Sequence, residues 1–226
     1  MKNCEDIRQE LIRKYKENDF VIDKTGCKTV EIISANFIVN RDWLIRKPNY
    51  EYATKEIAWY ISQSTNINDI YGKEKAPPQA WVGSADKYGN INSNYGYLIS
   101  SPKYFSQYYN CLEELQKNKD SRRAVMIYNR PSIWEEYKEG GKSDFICTFA
   151  NQFFIRNGKL VSIYNMRSND AVFGFCNDSI WAKSVHIGLA TDLKIPVGDL
   201  IWNAGSLHVY ERHFKFLEDS YDPEVG

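Results

Sequence analysis

The strongest constraint on the fold is a two-residue turn, Asn157-Gly158, between two runs that are rich in apolar and aromatic residues. Asn-Gly is the preferred pair for a tight β-hairpin turn, because both central residues need a positive φ. A bulge-free hairpin in register with this turn places Cys147 opposite Ser168 and beside Arg167. A neighbouring guanidinium lowers the pKa of a thiol and makes it a better nucleophile. Cys147 is therefore a candidate nucleophile, with a buried, unreactive cysteine as the alternative.

The length and the net charge of the chain limit the classes of protein to which it can belong. The chain has 226 residues, 29 Lys and Arg against 29 Asp and Glu, and 15% aromatic residues. We expect a single domain over residues 1–226, large enough to bury a substantial core. A net charge of zero argues against nonspecific binding of nucleic acid, which needs an excess of basic residues.

Cysteine usage and hydropathy indicate a reduced, cytoplasmic, soluble protein. The five cysteines are widely spaced, with no CxxC motif and no Cys/His cluster at zinc-binding spacing. Neither a signal peptide nor an apolar run of about 18 residues is visible. We therefore expect no metal and no membrane contact.

Hydrophobic periodicity places the regular elements. Helical spacing of apolar residues marks the segments 4–18, 50–63, 104–117 and 179–193. Strand-like runs fill 30–39, 124–128, both arms of the hairpin, 200–202 and 206–210. The segment 64–103 is irregular, and a long irregular segment inside a domain is often functional.

Two basic features can bind an anion. A glycine-containing loop at 23–29 carries Lys24 and Lys28, and such loops can hold a phosphate. Arg122 and Arg123 are adjacent before a strand, where two guanidinium groups can clamp an anion. A solvated hairpin loop and a solvated surface pair are the respective alternatives.

Other polar and aromatic residues stand where they can take part in a site. His208 and Tyr210 alternate with apolar residues, so their rings share one face of a strand and suit binding of a hydroxyl. Glu56 lies beside the apolar stripe of its helical segment, and Trp81 and Tyr95 are the large aromatics of the irregular segment. Structural roles for the histidine and the aromatics, and a surface position for the glutamate, are the alternatives.

Taken in chain order, these features resemble the thymidylate synthase superfamily across nearly the whole chain. The matching pieces are EIAWYISQSTNI at 56–67, SRR at 121–123, Cys147 with Gln152 five residues on, RSND at 167–170 and HVY at 208–210. Within the superfamily, the chain most resembles the phage deoxycytidylate hydroxymethylase branch, in the segments DKTG, INSNYG, SDFICT, MRSNDAVFGF and GSLHVY. The resemblance implies an α+β fold, with a large mixed or antiparallel sheet packed with helices and one sheet face forming a homodimer interface.

Asp178 is the position that separates the branches. Thymidylate synthases have asparagine at this place, counted without a gap from Arg167, and cytidylate hydroxymethylases have aspartate. Uracil offers an acceptor at O4 and a donor at N3, whereas cytosine offers a donor at N4 and an acceptor at N3. A carboxyl matches cytosine when one proton is shared with N3, and a buried mismatch with uracil costs about 1–3 kcal/mol. A shift by one residue to Asn177 would reverse the preference, but the unbroken spacing argues against it.

The resemblance also implies a reaction. Cys147 would add to C6 of dCMP, and C5 would then attack the one-carbon unit of 5,10-methylenetetrahydrofolate, the cosubstrate. Addition of water would give 5-hydroxymethyl-dCMP and tetrahydrofolate. Glu56 would transfer protons, Tyr95 would assist near C5, and Asp178 would share the proton at N3.

Binding roles follow from the same resemblance. The implied contacts to the phosphate, base and sugar of the substrate are Lys24, Arg122, Arg123, Arg167, Ser168, Asn169, Asp170, His208 and Tyr210. Arg122 and Arg123 would reach the phosphate site of the partner subunit, and Trp81 and Asp170 would contact the folate. Lys24 stands where synthases usually have arginine, which keeps the charge but loses the bidentate geometry.

Other functions stay open. A thymidylate synthase, a dUMP hydroxymethylase and a CMP hydroxymethylase would all use this fold. A noncatalytic nucleotide-binding member is a further alternative, against which the presence of Cys147, Glu56 and the arginines argues. The resemblance also implies a phage enzyme in the cytoplasm of a host bacterium, acting on free nucleotides and not on nucleic acid.

Overall fold

A computed structural model of the chain describes residues 1–22, 26–72, 74–218 and 220–223. These residues form two compact units, Met1–Asn49 with Ile155–Gly226, and Tyr50–Phe154. Lys24, predicted to bind phosphate, lies outside the described residues. The single domain expected over residues 1–226 stays a prediction.

Strands and helices are interspersed along the chain without strict alternation. The strands are β1 (Lys2–Asn3), β2 (Val21–Ile22), β3 (Lys28–Ile38), β4 (Val125–Ile127), β5 (Thr148–Arg156), β6 (Lys159–Asp170) and β7 (Val197–Tyr210). The α-helices are α1 (Cys4–Lys16), α2 (Tyr50–Ser62), α3 (Gln79–Val82), α4 (Tyr95–Ser100), α5 (Gln107–Lys117), α6 (Ile133–Glu136) and α7 (Gly174–Leu193). Short 3-10 helices cover Ile67–Ile70, Pro102–Tyr104, Glu139–Gly141 and Glu211–Leu217.

The first unit is built on a large mixed sheet. β3 pairs in parallel with β1 and antiparallel with β2 and β7, and β7 pairs in parallel with β6. Helices α1 and α7 pack on these strands. The expectation of an α+β fold with a mixed sheet packed with helices is confirmed.

Helix α1 begins where its sequence predicts. The Asn3 side chain accepts hydrogen bonds from the backbone N–H groups of Glu5 and Asp6, and the Asp6 carboxylate accepts one from the Asn3 backbone. This capping box satisfies donors that the first turn leaves open. Ile7 and Leu11 then bury one face of the helix.

Helix α7 begins earlier than its apolar spacing predicts, at Gly174 and not at residue 179. The Asp170 carboxylate accepts hydrogen bonds from the backbone N–H groups of Val172 at 3.1 Å and Phe173 at 3.2 Å. These bonds organise the turn that leads into the helix, so the helix starts before its apolar periodicity does. The earlier start places Asp178 inside α7.

The two strand-like runs at 200–202 and 206–210 form one continuous strand, β7. Gly205 lies between them without breaking the strand. A Cβ there would come within 2.8 Å of the Arg167 carbonyl oxygen. Glycine at this position permits the close approach of β6.

The predicted hairpin turn is confirmed. Asn157 has a φ of 50° and Gly158 a φ of 73°, which are the left-handed conformations of a type I′ turn. The turn joins Ile155–Arg156, the end of β5, to the start of β6. The longer register that brings Cys147 beside Arg167 stays a prediction.

The second unit contains the antiparallel pair β4 and β5, with Val125 opposite Gln152. Its segment 64–103 was expected to be irregular, but it contains α3, α4 and short 3-10 helices. Asn94 organises this region. Its side chain accepts a hydrogen bond from the Tyr97 backbone at 2.7 Å and donates to the carbonyls of Trp59 at 3.0 Å and Ser64 at 2.7 Å. Side-chain bonds to the backbone thus replace the periodic signal that this segment lacks.

Gly96→Ala tests the close packing of α2 against α4. A Cβ on Gly96 would lie 1.9 Å from the Tyr60 carbonyl oxygen, so the two helices must move apart to admit it. We expect the free energy of unfolding to fall by about 3 kcal/mol in urea titrations.

Gly83→Ala is the matched control, since its Cβ would have no neighbour closer than 3.8 Å. We expect its stability to change by less than about 0.5 kcal/mol. Equal losses in the two variants would contradict the steric explanation.

Candidate active site

Cys147 differs from most of the other cysteines in its exposure. Cys4, Cys111 and Cys176 are buried, and burial raises their pKa values, to about 12 for Cys111 and Cys176. Cys147 is half-buried immediately before β5, and Cys27 is exposed. A nucleophilic thiol needs both access and its thiolate form, so the three buried cysteines are poor candidates.

Glu56 is buried on α2 and accepts two hydrogen bonds on one oxygen. Tyr52, one helical turn earlier, donates its hydroxyl to Oε1, and Trp81 of α3 donates Nε1–H to the same oxygen at 3.0 Å. Burial raises the pKa of the Glu56 carboxyl, and the hydrogen bonds from Tyr52 and Trp81 oppose that rise. A carboxyl with a raised pKa is suited to giving and taking protons near neutral pH.

The predicted aromatics lie in clusters of rings. Trp81 contacts Trp59 edge-on, with ring centroids 5.3 Å apart. Tyr95 is buried, stacks on Tyr60 at 5.2 Å and meets Tyr128 edge-on at 5.3 Å. Both residues therefore have structural contacts, and their roles toward a folate and near C5 stay predictions.

Asp144 is a structural residue of this unit that sequence reasoning missed. Its buried carboxylate accepts hydrogen bonds from the backbone N–H groups of Asn92 at 2.6 Å and Ser93 at 2.7 Å, and from the Ser93 hydroxyl at 2.6 Å. These bonds connect the INSNYG segment to the stretch that leads into Cys147. An acidic residue ahead of the apolar run at 145–146 was the available signal.

In the first unit the structure brings Asn169 and Asp178 together. Asn169 of β6 is only 3% exposed, and its Nδ2 donates to Oδ2 of Asp178 at 2.7 Å. The hydrogen bond orients the carboxylate that the sequence predicts to select the base.

His208 lies at the centre of a polar row across three strands. Glu31 of β3 and Asp170 of β6 are its direct partners in the strand register. The Ser206 hydroxyl donates to Glu31 and lies 3.3 Å from Nδ1 of His208. Burial lowers the pKa of His208, which favours the neutral ring. Its ring centroid lies 4.6 Å from that of Tyr210, so the two residues predicted to share a face lie together.

Arg122 and Arg123 are exposed before β4 but have different surroundings. Arg123 pairs with Glu114, with Nη2 and Oε1 3.0 Å apart. Gln152 donates to the Arg122 carbonyl at 2.9 Å, and the Arg122 guanidinium makes no ion pair with any described residue. Of the two, Arg122 is the better placed to receive an external anion.

The other predicted phosphate residues lie near the end of β6. Arg167 and Ser168 are half-buried there, and Ser168 is opposite Ser206 of β7. Asp170 holds the turn before α7, a structural role that its sequence pattern did not reveal. The contacts of these residues with substrate or folate stay predictions.

Two features that some enzymes require are not found in the part of the chain that the structure describes. No group of three or more His, Cys, Asp or Glu side chains there could hold a metal ion. No helix in the same residues has the length and the apolar character needed to cross a membrane.

Glu56→Gln tests how much the ionised, buried carboxyl of Glu56 lowers the stability of the fold. Because burial raises the pKa of Glu56 in the folded state above its ordinary 4.5, stability is lost as the pH rises from that value through the folded-state pKa. Glutamine keeps an acceptor oxygen for Tyr52 and Trp81 but carries no charge. We expect the melting temperature to rise by about 2–4 °C at pH ~8 and to stay unchanged at pH ~4, where the carboxyl is already neutral.

Glu139→Gln, at an exposed position, is the control and should show no such pH dependence. A lower melting temperature of Glu56→Gln at the alkaline pH would refute a destabilising charge at Glu56.

Comparison with known proteins places the chain among relatives. The profile of the thymidylate synthase family matches residues 5–223. The deoxycytidylate 5-hydroxymethyltransferase of Enterobacteria phage T4 is 46% identical over 221 residues, which cover 95% of this chain and 89% of that protein. The thymidylate synthase of Buchnera aphidicola is 25% identical over 221 residues, which cover 92% of this chain and 80% of that protein.

A solved structure shows the same fold. The crystal structure of thymidylate synthase from phage T4 matches with a TM-score of 0.73 at 21% identity, over 96% of this chain and 79% of that one. The resemblance inferred from the motifs, including that to the phage deoxycytidylate hydroxymethylases, is confirmed. The chain belongs to the thymidylate synthase family.

Proposed function

We propose that this chain is a dCMP 5-hydroxymethyltransferase. It transfers a one-carbon unit from 5,10-methylenetetrahydrofolate to C5 of dCMP with addition of water, giving 5-hydroxymethyl-dCMP and tetrahydrofolate. The observation that carries the proposal is the hydrogen-bonded pair of Asn169 and Asp178. Membership of the family and 46% identity to the phage T4 hydroxymethyltransferase support the reaction class.

Selection of the base is argued from the acceptors that this pair offers. Asp178 contributes carboxylate oxygens, and Asn169 Oδ1 is buried without a hydrogen-bond partner among the described residues. The amino group at N4 of cytosine carries two N–H donors, which oxygen acceptors satisfy. Uracil has an acceptor at that position, and facing it with further acceptors costs about 1–3 kcal/mol. The pair therefore favours cytosine.

Cys147 is the proposed nucleophile. Its sulfur forms a bond to C6 of the pyrimidine, and the displaced electron pair makes C5 nucleophilic. Asp178 shares the proton at N3 and so stabilises the charge that develops in the ring. The half-buried position of Cys147 supports this role, since the buried cysteines 4, 111 and 176 have raised pKa values.

Glu56 is the proposed proton carrier. It removes the proton from C5 and delivers protons through ordered water, which the raised pKa of its buried carboxyl supports. The folate supplies the one-carbon unit when it is bound. The aromatic face of Trp81, half-buried beside Glu56, fits the flat ring system of a folate.

The remaining site residues bind sugar and phosphate. The neutral ring of His208, with Tyr210 beside it, holds the 3′-hydroxyl, and Asp170 contacts substrate or folate. Arg167, Ser168 and Lys24 hold the phosphate from within the subunit. No metal takes part in this reaction.

The enzyme acts as a homodimer of single catalytic domains, residues 1–226, through one face of the sheet. An exposed apolar side chain on the sheet of the first unit, Ile33 of β3, supports this. Arg122 and Arg123 reach the partner's phosphate site. The phage relatives support a place in the cytoplasm of a host bacterium, acting on free nucleotides.

The test of the reaction is turnover of dCMP, dUMP and CMP with methylenetetrahydrofolate, with the product identified by mass spectrometry. We expect a hydroxymethyl product from dCMP alone. Asp178→Asn should lower kcat/KM for dCMP and raise it for dUMP, changing the ratio by about 10–100-fold, because an amide matches uracil. Formation of dihydrofolate would identify a thymidylate synthase, and an unchanged ratio would remove the assignment of Asp178.

Shared phosphate sites are tested by mixing two inactive variants, Cys147→Ala and Arg122→Ala. Each mixed dimer would contain one intact site, with Cys147 from one subunit and Arg122 from the other. With random exchange, half of the dimers are mixed, so activity should return to about a quarter of that of the unmodified protein. No recovery, with exchange confirmed by mass, would place Arg122 outside the partner's site.

A further inference from the structure

The hydrogen bonds around the ionised form of Glu56 can be oriented in only one way. An indole N–H can donate but not accept, so Trp81 donates to Glu56 Oε1 at 3.0 Å and to the Tyr52 oxygen at 2.9 Å. An ionised carboxylate can only accept, so the Tyr52 hydroxyl donates its proton to Oε1 of Glu56. Two donors therefore converge on one carboxylate oxygen.

The two oxygens of Glu56 consequently differ. Oε1 receives both donors, whereas Oε2 accepts no hydrogen bond from any residue in the described part of the chain. An oxygen that already accepts two hydrogen bonds has little capacity for a proton, since its lone pairs are engaged. The basic site of the carboxylate is thereby moved to Oε2.

We propose that Tyr52 is the positioning residue of Glu56, and that it holds Oε1 so that protons pass through Oε2. This inference rests on the proposed function, in which Glu56 transfers protons at C5. Tyr52 acts through Glu56 and does not need to touch the substrate. Its place one helical turn before Glu56 on α2 keeps the two side chains on the same face of the helix.

Few other groups in the second unit act on Glu56. The titratable and charged side chains on the segments that contact α2 are Asp69, Tyr71, Glu74, Lys75, Tyr95 and Tyr97. Asp69 accepts a hydrogen bond from Ser64 at 2.5 Å, and Glu74 pairs with Lys55 at 3.1 Å. The pKa of Glu56 responds to burial first, and then to Tyr52 and Trp81.

Loss of the Tyr52 hydroxyl should shift the pKa of Glu56 in a defined direction. The hydrogen bond stabilises the ionised form of Glu56, so removing it raises the pKa of the carboxyl further. Proton abstraction needs the ionised form and would then begin only at higher pH. A purely structural tyrosine would lower activity equally at every pH.

Tyr52→Phe is compared with Tyr109→Phe, a matched change on α5 at a residue that is 64% exposed. For dCMP turnover, we expect the acid limb of the kcat profile of Tyr52→Phe to move up by about 1 pH unit, with kcat about tenfold lower on that limb. KM for dCMP should stay within about twofold, because the substrate contacts are intact. Tyr109→Phe should match the unmodified protein throughout.

A second readout needs neither substrate nor folate. The Trp81 indole donates to Glu56, so the chemical shift of its indole ¹⁵N–H resonance should change as the Glu56 carboxyl titrates. Trp81→Phe identifies the resonance by its disappearance, and Glu56→Gln should abolish the titration. We expect the midpoint to be about 1 pH unit higher in Tyr52→Phe. An unchanged midpoint would overturn the positioning role.

Glu56→Gln separates failure of the inference from failure of the proposed function. We expect it to lose about 10²–10⁴-fold in kcat. If it turns over dCMP normally, both the function of Glu56 and the role of Tyr52 are wrong. If it is inactive while Tyr52→Phe matches the unmodified protein in both readouts, only the role of Tyr52 is wrong.

Discussion

The second unit depends on burial of one carboxylate, Asp144, together with its donors. Ser93 donates both its backbone N–H and its hydroxyl to this group, at 2.7 and 2.6 Å. A buried carboxylate without such donors would be strongly unfavourable, so the segment has little freedom to rearrange. The next residue, Asn94, is bonded to the backbone of the helix that carries Glu56. Because Asp144 stands three residues before Cys147, one network supports both the proposed nucleophile and the proposed proton carrier.

Burial also sets the ionisation of the candidate groups, in each case toward the neutral form. It raises the pKa of Glu56 and lowers that of His208. A carboxyl with a raised pKa suits proton transfer, and a neutral imidazole can both donate to and accept from a hydroxyl. Hydrogen bonds from Tyr52 and Trp81 oppose the rise in the pKa of Glu56 and orient its carboxylate. The hydrogen bond from Asn169 orients Asp178.

Local signals predicted much of the fold. The Asn157-Gly158 turn adopts the positive φ values that its residue types favour, and α1 and α2 follow their apolar spacing closely. The start of α7 and the continuity of β7 were missed. The first depends on the Asp170 carboxylate binding backbone donors, and the second on the close approach of a neighbouring strand to Gly205. Periodicity carries no information on either contact.

The amino-acid sequence alone determined the hairpin turn and the family, and it provided the candidate nucleophile Cys147 and the proposed base-selecting residue Asp178. Each of these depends on residue type and spacing. Only the tertiary structure decided which polar side chains pair with one another around the candidate site. Trp81 meets Tyr52 across 29 positions of the chain, and Ser93 meets Asp144 across 51. Such pairs form because burial makes an unpaired polar group costly, and only the folded chain determines which donor lies within reach of which acceptor.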